Sequence, residues 1–237
     1  MDDSKSEVSG EWMLPARQHR SREQRDRLLK AGEQVFAKRG FADSHISEIV
    51  SGAKCSIGSF YRRFKDKEAL FLALQEDMYQ QSLRKIDRFF SNPACESKPL
   101  TVVFFRLLEN TANEAMCIKG YYRALFELSL RGREVWDQMR ELERYQAEQI
   151  EKLLIKRSIN KRRAEFVPNV TLVIRMVTGA QISLILHGPD AFRRSAARVH
   201  AEYTRVLMTS AGLTPDPAEL ESLCKEGGRG RASPFRE

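Results

Sequence analysis

"ISEIVSGAKCSIGSFYRRFKDKEAL", Ile46 to Leu70, is the stretch that decides the fold. Apolar side chains recur in it at helical spacing, in two short bursts. Ile46, Ile49, Val50 and Ala53 stand at i, i+3, i+4 and i+7, one buried stripe on a two-turn helix, with Asp43 and Ser44 as cap residues ahead of it. After a break at Lys54 and Cys55, Phe60 and Phe64 stand four apart and share a face that packs back on that stripe. The other faces carry Ser56, Ile57, Ser59, Tyr61, Arg62 and Arg63. Two short helices joined by a tight turn, the second showing hydroxyls and guanidinium groups, make a helix-turn-helix. Its second helix fits a DNA major groove about 12 Å wide.

Working outward, the preceding helix has both ends written in the sequence. Ser21 and Gln24 have capping-box spacing. Leu28, Leu29, Val35 and Phe36 repeat every seven residues on one face. Lys38 and Arg39 suit the negative end of the helix dipole, and Gly40 takes the left-handed position that closes the helix. On the other side, Asp66 caps a helix through "KEALFLALQEDMYQ". Lys67 stands at its start, where free N–H groups and the dipole favour a phosphate, and Ser44 and His45 stand similarly before Ile46.

Charge follows the same region. The chain has 237 residues and a formal charge of +8. From Arg17 to Lys67 thirteen Lys or Arg face six Asp or Glu, so nearly all the surplus lies in about a fifth of the sequence. An anionic partner is therefore expected there rather than along the whole molecule. The four cysteines (55, 95, 117 and 224) show no CxxC spacing, and a reduced, cytoplasmic setting is expected. The histidines at 19, 45, 187 and 200 form no ligand cluster by spacing. No metal or cofactor is expected.

Beyond Asn92-Pro93 the pattern stays helical, with apolar stripes in "PLTVVFFRLLENTANEAM", "GYYRALFELSLRG", "EVWDQMRELERYQAEQIEKLLIKR" and "DAFRRSAARVHAEYTRVLMTSAG". The most apolar run, Val170 to Leu186, contains Arg175, Thr178, Gln181 and Ser183, which makes it a poor membrane span and a good buried helix. The fold class is all-α. The expected organisation is a flexible arm over 1–20, a helix-turn-helix domain over 21–68, a helical domain over 69–212 and a disordered tail over 213–237.

The order "EQVFAKRGF…ISEIVSGAKCSIGSFYRRFKDKEALFLAL" resembles the DNA-binding domain of the TetR family of transcriptional regulators. The resemblance covers about residues 21–75. It rests on Phe36, the Lys38-Arg39-Gly40-Phe41 helix end, Ile49, the "GSFYRRF" core and the K-x-K-E-A-L entry to the next helix. It implies a homodimer in which three N-terminal helices bind a palindromic operator and a larger C-terminal domain binds a small-molecule effector and dimerises. Carried over by position, Ser56, Ile57, Ser59, Tyr61 and Arg62 would face DNA. Ser44, His45 and Ser47 would touch it from the helix before, and Lys67 would hold a phosphate. Tyr61 is the leading assignment, a phosphate contact whose ring braces the helix. Arg62 and Arg63 would either read a guanine edge or neutralise backbone. The sequence departs from the family pattern at Lys54, where Gly is usual and φ > 0 is required; at Ile57, where a polar or basic residue is common; and at Ser47, where Arg is frequent.

For dimerisation, the run containing Met176, Gly179 and Ala180 and the one placing Phe192, Ala196, Val199, Tyr203 and Val206 at helical spacing are the expected pair, forming a four-helix interface between subunits. For the effector, Phe104, Phe105, Leu108, Tyr121, Tyr122, Phe126, Trp136 and Met139 form an aromatic-rich set poor in acids, which favours a large apolar or aromatic molecule. Two rivals stand beside the regulator, expected to be a repressor. An enzyme lacks support, since no nucleophile elbow, phosphate loop, metal-ligand pair or paired carboxylates stand in an apolar setting. A helical interaction module would associate with anions regardless of sequence, whereas specific DNA recognition withstands competitor DNA.

Overall fold

The computed structural model describes residues 13–159, 166–187 and 196–227, with side chains from Ser21 onward. Within these residues all regular secondary structure is helical, and there is no strand. The helices are α1 (Met13–Arg39), α2 (Ile46–Gly52), α3 (Ile57–Tyr61), α4 (Lys67–Ser91), α5 (Ala94–Ser97) and α6 (Leu100–Cys117). They continue with α7 (Lys119–Leu130), α8 (Asp137–Lys156), α9 (Phe166–His187), α10 (Ala196–Ser210) and α11 (Pro217–Gly227).

The ends of the first helices follow the local chemistry. Gly40 has φ +79° and closes α1. The Asp66 carboxylate accepts from Ala69 N at 2.8 Å and starts α4. Lys54 does adopt the left-handed conformation, φ 53°, in the turn between α2 and α3. The residue preceding α2 is His45 rather than Ser44, whose hydroxyl turns inward and donates to the Phe41 carbonyl at 2.7 Å.

Two sequence expectations are corrected. α1 begins at Met13, not at Ser21, so residues 13–20 continue the helix instead of forming part of a flexible arm; Pro15 lies in the first turn, where a missing N–H costs nothing. Residues 1–12 lie outside the described residues. Residues 217–227, expected as disordered tail, form α11. Asp216 caps it by accepting from Ala218 N at 2.8 Å, and Leu220 and Leu223 are buried with Phe105 and Ala201. Its Pro and charge content marks a helix start and an outward face, not a lack of structure.

Burial divides the interior into three clusters. The first joins α1–α4 to α7: Leu28, Phe36, Ile49, Phe60, Leu70 and Phe71 pack in one continuous cluster with Tyr121, Leu125 and Leu128. The helix-turn-helix therefore shares its core with the C-terminal domain across the boundary expected at residue 68. The second gathers α6, α8, α9 and α10 around Phe104, Leu108, Ile150, Leu154, Val170 and Leu207. The third lies under α11. α7 lies hard against α1: a Cβ on Gly120 would overlap the Glu33 carbonyl, and Gly120 N donates to Glu33 Oε1 at 2.9 Å.

α9 is long and apolar enough, by length and composition, to cross a membrane. Its inner face instead packs on α8, and its Arg175 pairs with Glu143 of α8 at 2.8 Å.

Candidate nucleic-acid interface and internal cavity

Phe60, fully buried, and Phe64, nearly so, anchor α3 on Ile49 and Val50. That anchoring fixes which side chains remain outside. Ile57 is 52% exposed and Tyr61 55%, an unusual exposure for such residues at a well-packed position. Around them Ser56, Arg62, His45 and Ser47 are also exposed. The Tyr61 ring meets Phe60 edge-on at 5.4 Å, which braces it from behind while its hydroxyl end stays outside.

The polar residues of this region separate into two groups. Ser56 accepts from Ser59 N at 3.2 Å and caps α3. Ser59 is buried, its hydroxyl 3.0 Å from that of Ser56 and accepting from Arg62 Nη2 at 3.0 Å. Arg63 reaches back to α1, donating to Ser21 Oγ at 3.1 Å and Gln24 Oε1 at 3.0 Å. The structure thus tells the two arginines apart: Arg62 projects outward beside Tyr61, while Arg63 ties α3 to α1.

Ser44, Ser59 and Lys67 are placed differently from the surface contacts that the resemblance implied. Ser44 and Ser59 are buried and internally bonded. The Lys67 ammonium donates to the carbonyls of Phe41, Ala42 and Ser44 at 2.5, 3.1 and 2.8 Å. Burial, and then the charge of Arg131, lower its pKa. These carbonyls lie just beyond the end of α1, and that of Phe41 also accepts from Ser44 Oγ, so a cation there locks the loop that precedes α2.

A second feature lies behind this module. A cavity of about 90 Å³ sits among α4, α6, α7, α8 and α9. Of the eight residues expected to meet an effector, Tyr121, Tyr122 and Met139 line it. Phe104 and Leu108 belong to the second cluster and Phe105 to the third, because their face of α6 turns toward α8, α10 and α11. Phe126 is on the surface, and Trp136 packs beside the first cluster without reaching the cavity. The sequence reading missed Met78, Glu114, Gln138, Glu143, Ile174 and Gln181, which are among the other residues of the wall. A signal existed for Gln181, a polar residue within the most apolar run of the chain.

Known proteins place the N-terminal module. The pattern for "Bacterial regulatory proteins, tetR family" matches residues 28–74, the segment holding Phe36, Ile49, Phe60 and the exposed face of α3. Residues 28–74 are thus similar to the DNA-binding domain of the tetR family. It is 42% identical over 64 residues to YerO of Bacillus subtilis, an HTH-type transcriptional regulator, covering 27% of this chain and 22% of YerO. It is 39% identical over 61 residues to the HTH-type transcriptional repressor NemR of Escherichia coli, covering 26% of this chain and 31% of NemR. The match thus spans less than a third of these relatives' length. In overall fold the chain is similar to a TetR-family regulator from Mesorhizobium loti, with a TM-score of 0.62 over 87% of this chain and 98% of that one at 17% identity.

The expected dimer stripes are also placed. On α9, Leu172, Met176 and Gly179 lie outward, Leu172 at 58% and Met176 at 61% exposure. A Cβ on Gly179 would meet nothing among the described residues. Ala180 is half-buried. On the adjoining α10, Ala196 and Val206 are exposed and Val199 and Tyr203 half-buried. Phe192 lies outside the described residues.

Proposed function

We propose that this chain is a homodimeric, sequence-specific DNA-binding repressor of the tetR family, released from a palindromic operator by a small molecule held in the α4–α9 cavity. The observation that carries the reading is the exposed Ile57–Tyr61–Arg62 face, supported by a rigid core and matched in sequence to regulators of the same family. Ser56, Ile57, Tyr61 and Arg62 then read the groove, with His45 and Ser47 flanking from α2; Lys67 and Arg63 hold the module in shape. An Ile57 side chain suits a thymine methyl. Outward Leu172 and Met176 on α9, together with Val206 on α10, give an apolar strip of the kind that closes a two-fold interface. DNA as partner implies the cytoplasm as location.

Release follows from shared packing. Tyr121, at the cavity wall, stacks on Phe71 at 5.8 Å, and Phe71 meets Phe41 edge-on at 6.1 Å, beside the loop locked by Lys67. A ligand that changes how α7 sits changes the α1–α2 loop too, and a few kcal/mol of differential affinity between two dimer geometries suffices for induction.

Binding-site selection tests the proposal: purified protein is mixed with random duplex DNA in excess competitor near physiological salt. A palindrome with half-sites about one helical turn apart, or offset as two dimers require, is the expected result. Recovery of unselective, salt-sensitive complexes alone would overturn it.

A further inference from the structure

The polar atoms of the α4–α9 cavity define a class of ligand. Gln181 is 6% exposed, and its Nε2 is buried without a hydrogen-bond partner among the described residues. Gln138 donates from its own amide to Glu76 Oε2 at 2.7 Å, leaving its buried Oε1 without one. An unpaired buried amide is costly, so each of these atoms marks a place where a ligand atom completes the bonding. The rest of the wall is mostly apolar or aromatic: Met78, Ile86, Tyr121, Met139, Leu142 and Ile174.

Charge narrows the class. Among the described residues the wall has no Lys or Arg, and it includes two carboxylates, Glu114 and Glu143. Glu143 is already held by Arg175 at 2.8 Å and Glu114 by Lys85 at 3.5 Å, and both cations reach in from the exposed side. An anion would therefore lose its water and find both neighbouring cations already paired, while a cation would have to displace an existing counter-ion. The volume, about 90 Å³, suits a single ring rather than a fused polycycle.

We infer that the cavity binds an uncharged, single-ring aromatic compound bearing an amide- or phenol-type group, which accepts from Gln181 Nε2 and donates to Gln138 Oε1, and that it rejects aromatic carboxylates. This rests on the ligand-responsive reading above and narrows the large apolar or aromatic effector expected from sequence to a small aromatic one. The polar pair sets specificity; Tyr121, Met78 and Met139 supply the apolar contact.

The test uses the full chain with 13C-labelled methionine methyls, so that Met78 and Met139 report from the wall itself. Four probes of one shape are titrated: benzamide, benzoate, benzylammonium and toluene. Benzamide shifts both methyl signals at the lowest concentration and benzoate leaves them unmoved. Gln181→Leu weakens benzamide about tenfold while toluene binding is kept. Gln138→Leu serves as the second variant should the first not fold. Equal or tighter binding of benzoate or benzylammonium overturns the inference. So does silence from all four probes, or benzamide affinity unchanged by both substitutions. Operator release is read separately: benzamide binding without any loss of DNA affinity would refute the regulatory reading and leave the ligand class standing.

Discussion

The Lys67 ammonium lies 4.7 Å from the centre of the Phe41 ring and donates to the Phe41 carbonyl at 2.5 Å. One side chain thus closes the loop from the end of α1 to the start of α2 by three carbonyl contacts and a cation–π contact. Lys67→Met should therefore destabilise the free protein by about 1–2 kcal/mol. That is a fall in Tm of a few degrees, with faster amide exchange at residues 41–45. A variant that keeps its stability and loses only DNA affinity would return Lys67 to the phosphate-binding role implied by resemblance.

Tyr61 and Arg62 behave oppositely, since their outer ends face solvent. Tyr61→Ala should lower operator affinity about tenfold or more while shifting Tm little, because few buried contacts are lost. Arg62→Ala should weaken binding and relax selectivity at one base position if it reads a base edge, or flatten the salt dependence by about one unit if it meets a phosphate. Selection experiments on the two variants, run at two salt concentrations, separate these outcomes. Arg63→Ala should cost stability first, through the lost bonds to Ser21 and Gln24.

The parts legible in the sequence were those fixed by local periodicity and backbone chemistry. The stripe of Ile49 and Val50, the buried Phe60, the Gly40 helix end, the Asp66 cap and the positive φ at Lys54 all follow from residues close in the chain. What was not legible depends on distant partners. Lys67 reads as a free cation because the carbonyls that capture it lie 23 to 26 residues earlier. Ser44 and Ser59 read as surface hydroxyls although their partners, Phe41, Ser56 and Arg62, lie only three residues away, because spacing alone does not say which hydroxyl turns inward. Phe104, Phe105 and Phe126 could not be sorted from Tyr121 and Tyr122, since a row of aromatics does not say which way its helix is rotated in a bundle. α11 was obscured by composition, although its Asp-Pro start and the spacing of Leu220 and Leu223 were present.

His200 makes stability depend on pH. The ring is buried, meets Phe105 edge-on at 6.1 Å, and has an Nδ1 without a partner among the described residues. Burial lowers its pKa below 6.5, against the opposing pull of Glu109. The unfolded chain then binds a proton that the fold does not, so stability is lost as pH falls below about 6.5, with a slope of at most about 1.4 kcal/mol per pH unit. His200→Phe should reduce that slope when urea midpoints are compared at several pH values between 5 and 7. Identical slopes in both proteins would show that the ring does not titrate differently in the fold.

The outward strip on α9 has a direct consequence for assembly. Met176→Glu places a charge where an apolar interface is proposed and should convert a dimer to a monomer in sedimentation, with little change in helicity. Since each half-site is then bound alone, operator affinity should fall by well over tenfold. A variant that stays dimeric would move the interface elsewhere.

Glu127 provides the last test, because it reaches from α7 to the DNA-binding module. Its Oε2 accepts from Ala42 N at 2.8 Å, and its carboxylate fills the space that a Cβ on Gly40 would occupy. Four residues before it on the same helix, Arg123 donates to the Ala37 carbonyl at 2.6 Å. Both contacts connect the helix bearing Tyr121 and Tyr122 to the end of α1. If α7 carries the ligand signal, Glu127→Ala should leave ligand affinity for the DNA-free protein nearly unchanged and reduce the ligand-dependent drop in operator affinity. By linkage, the same factor must be lost from the effect of DNA on ligand binding. A Glu127→Ala and Phe71→Leu double-mutant cycle measured on that coupling then distinguishes two routes: additive losses assign separate paths through α7 and α4, and a non-additive result assigns one shared element. Unaltered coupling in both single variants would remove α7 and the Tyr121–Phe71–Phe41 stack from the mechanism.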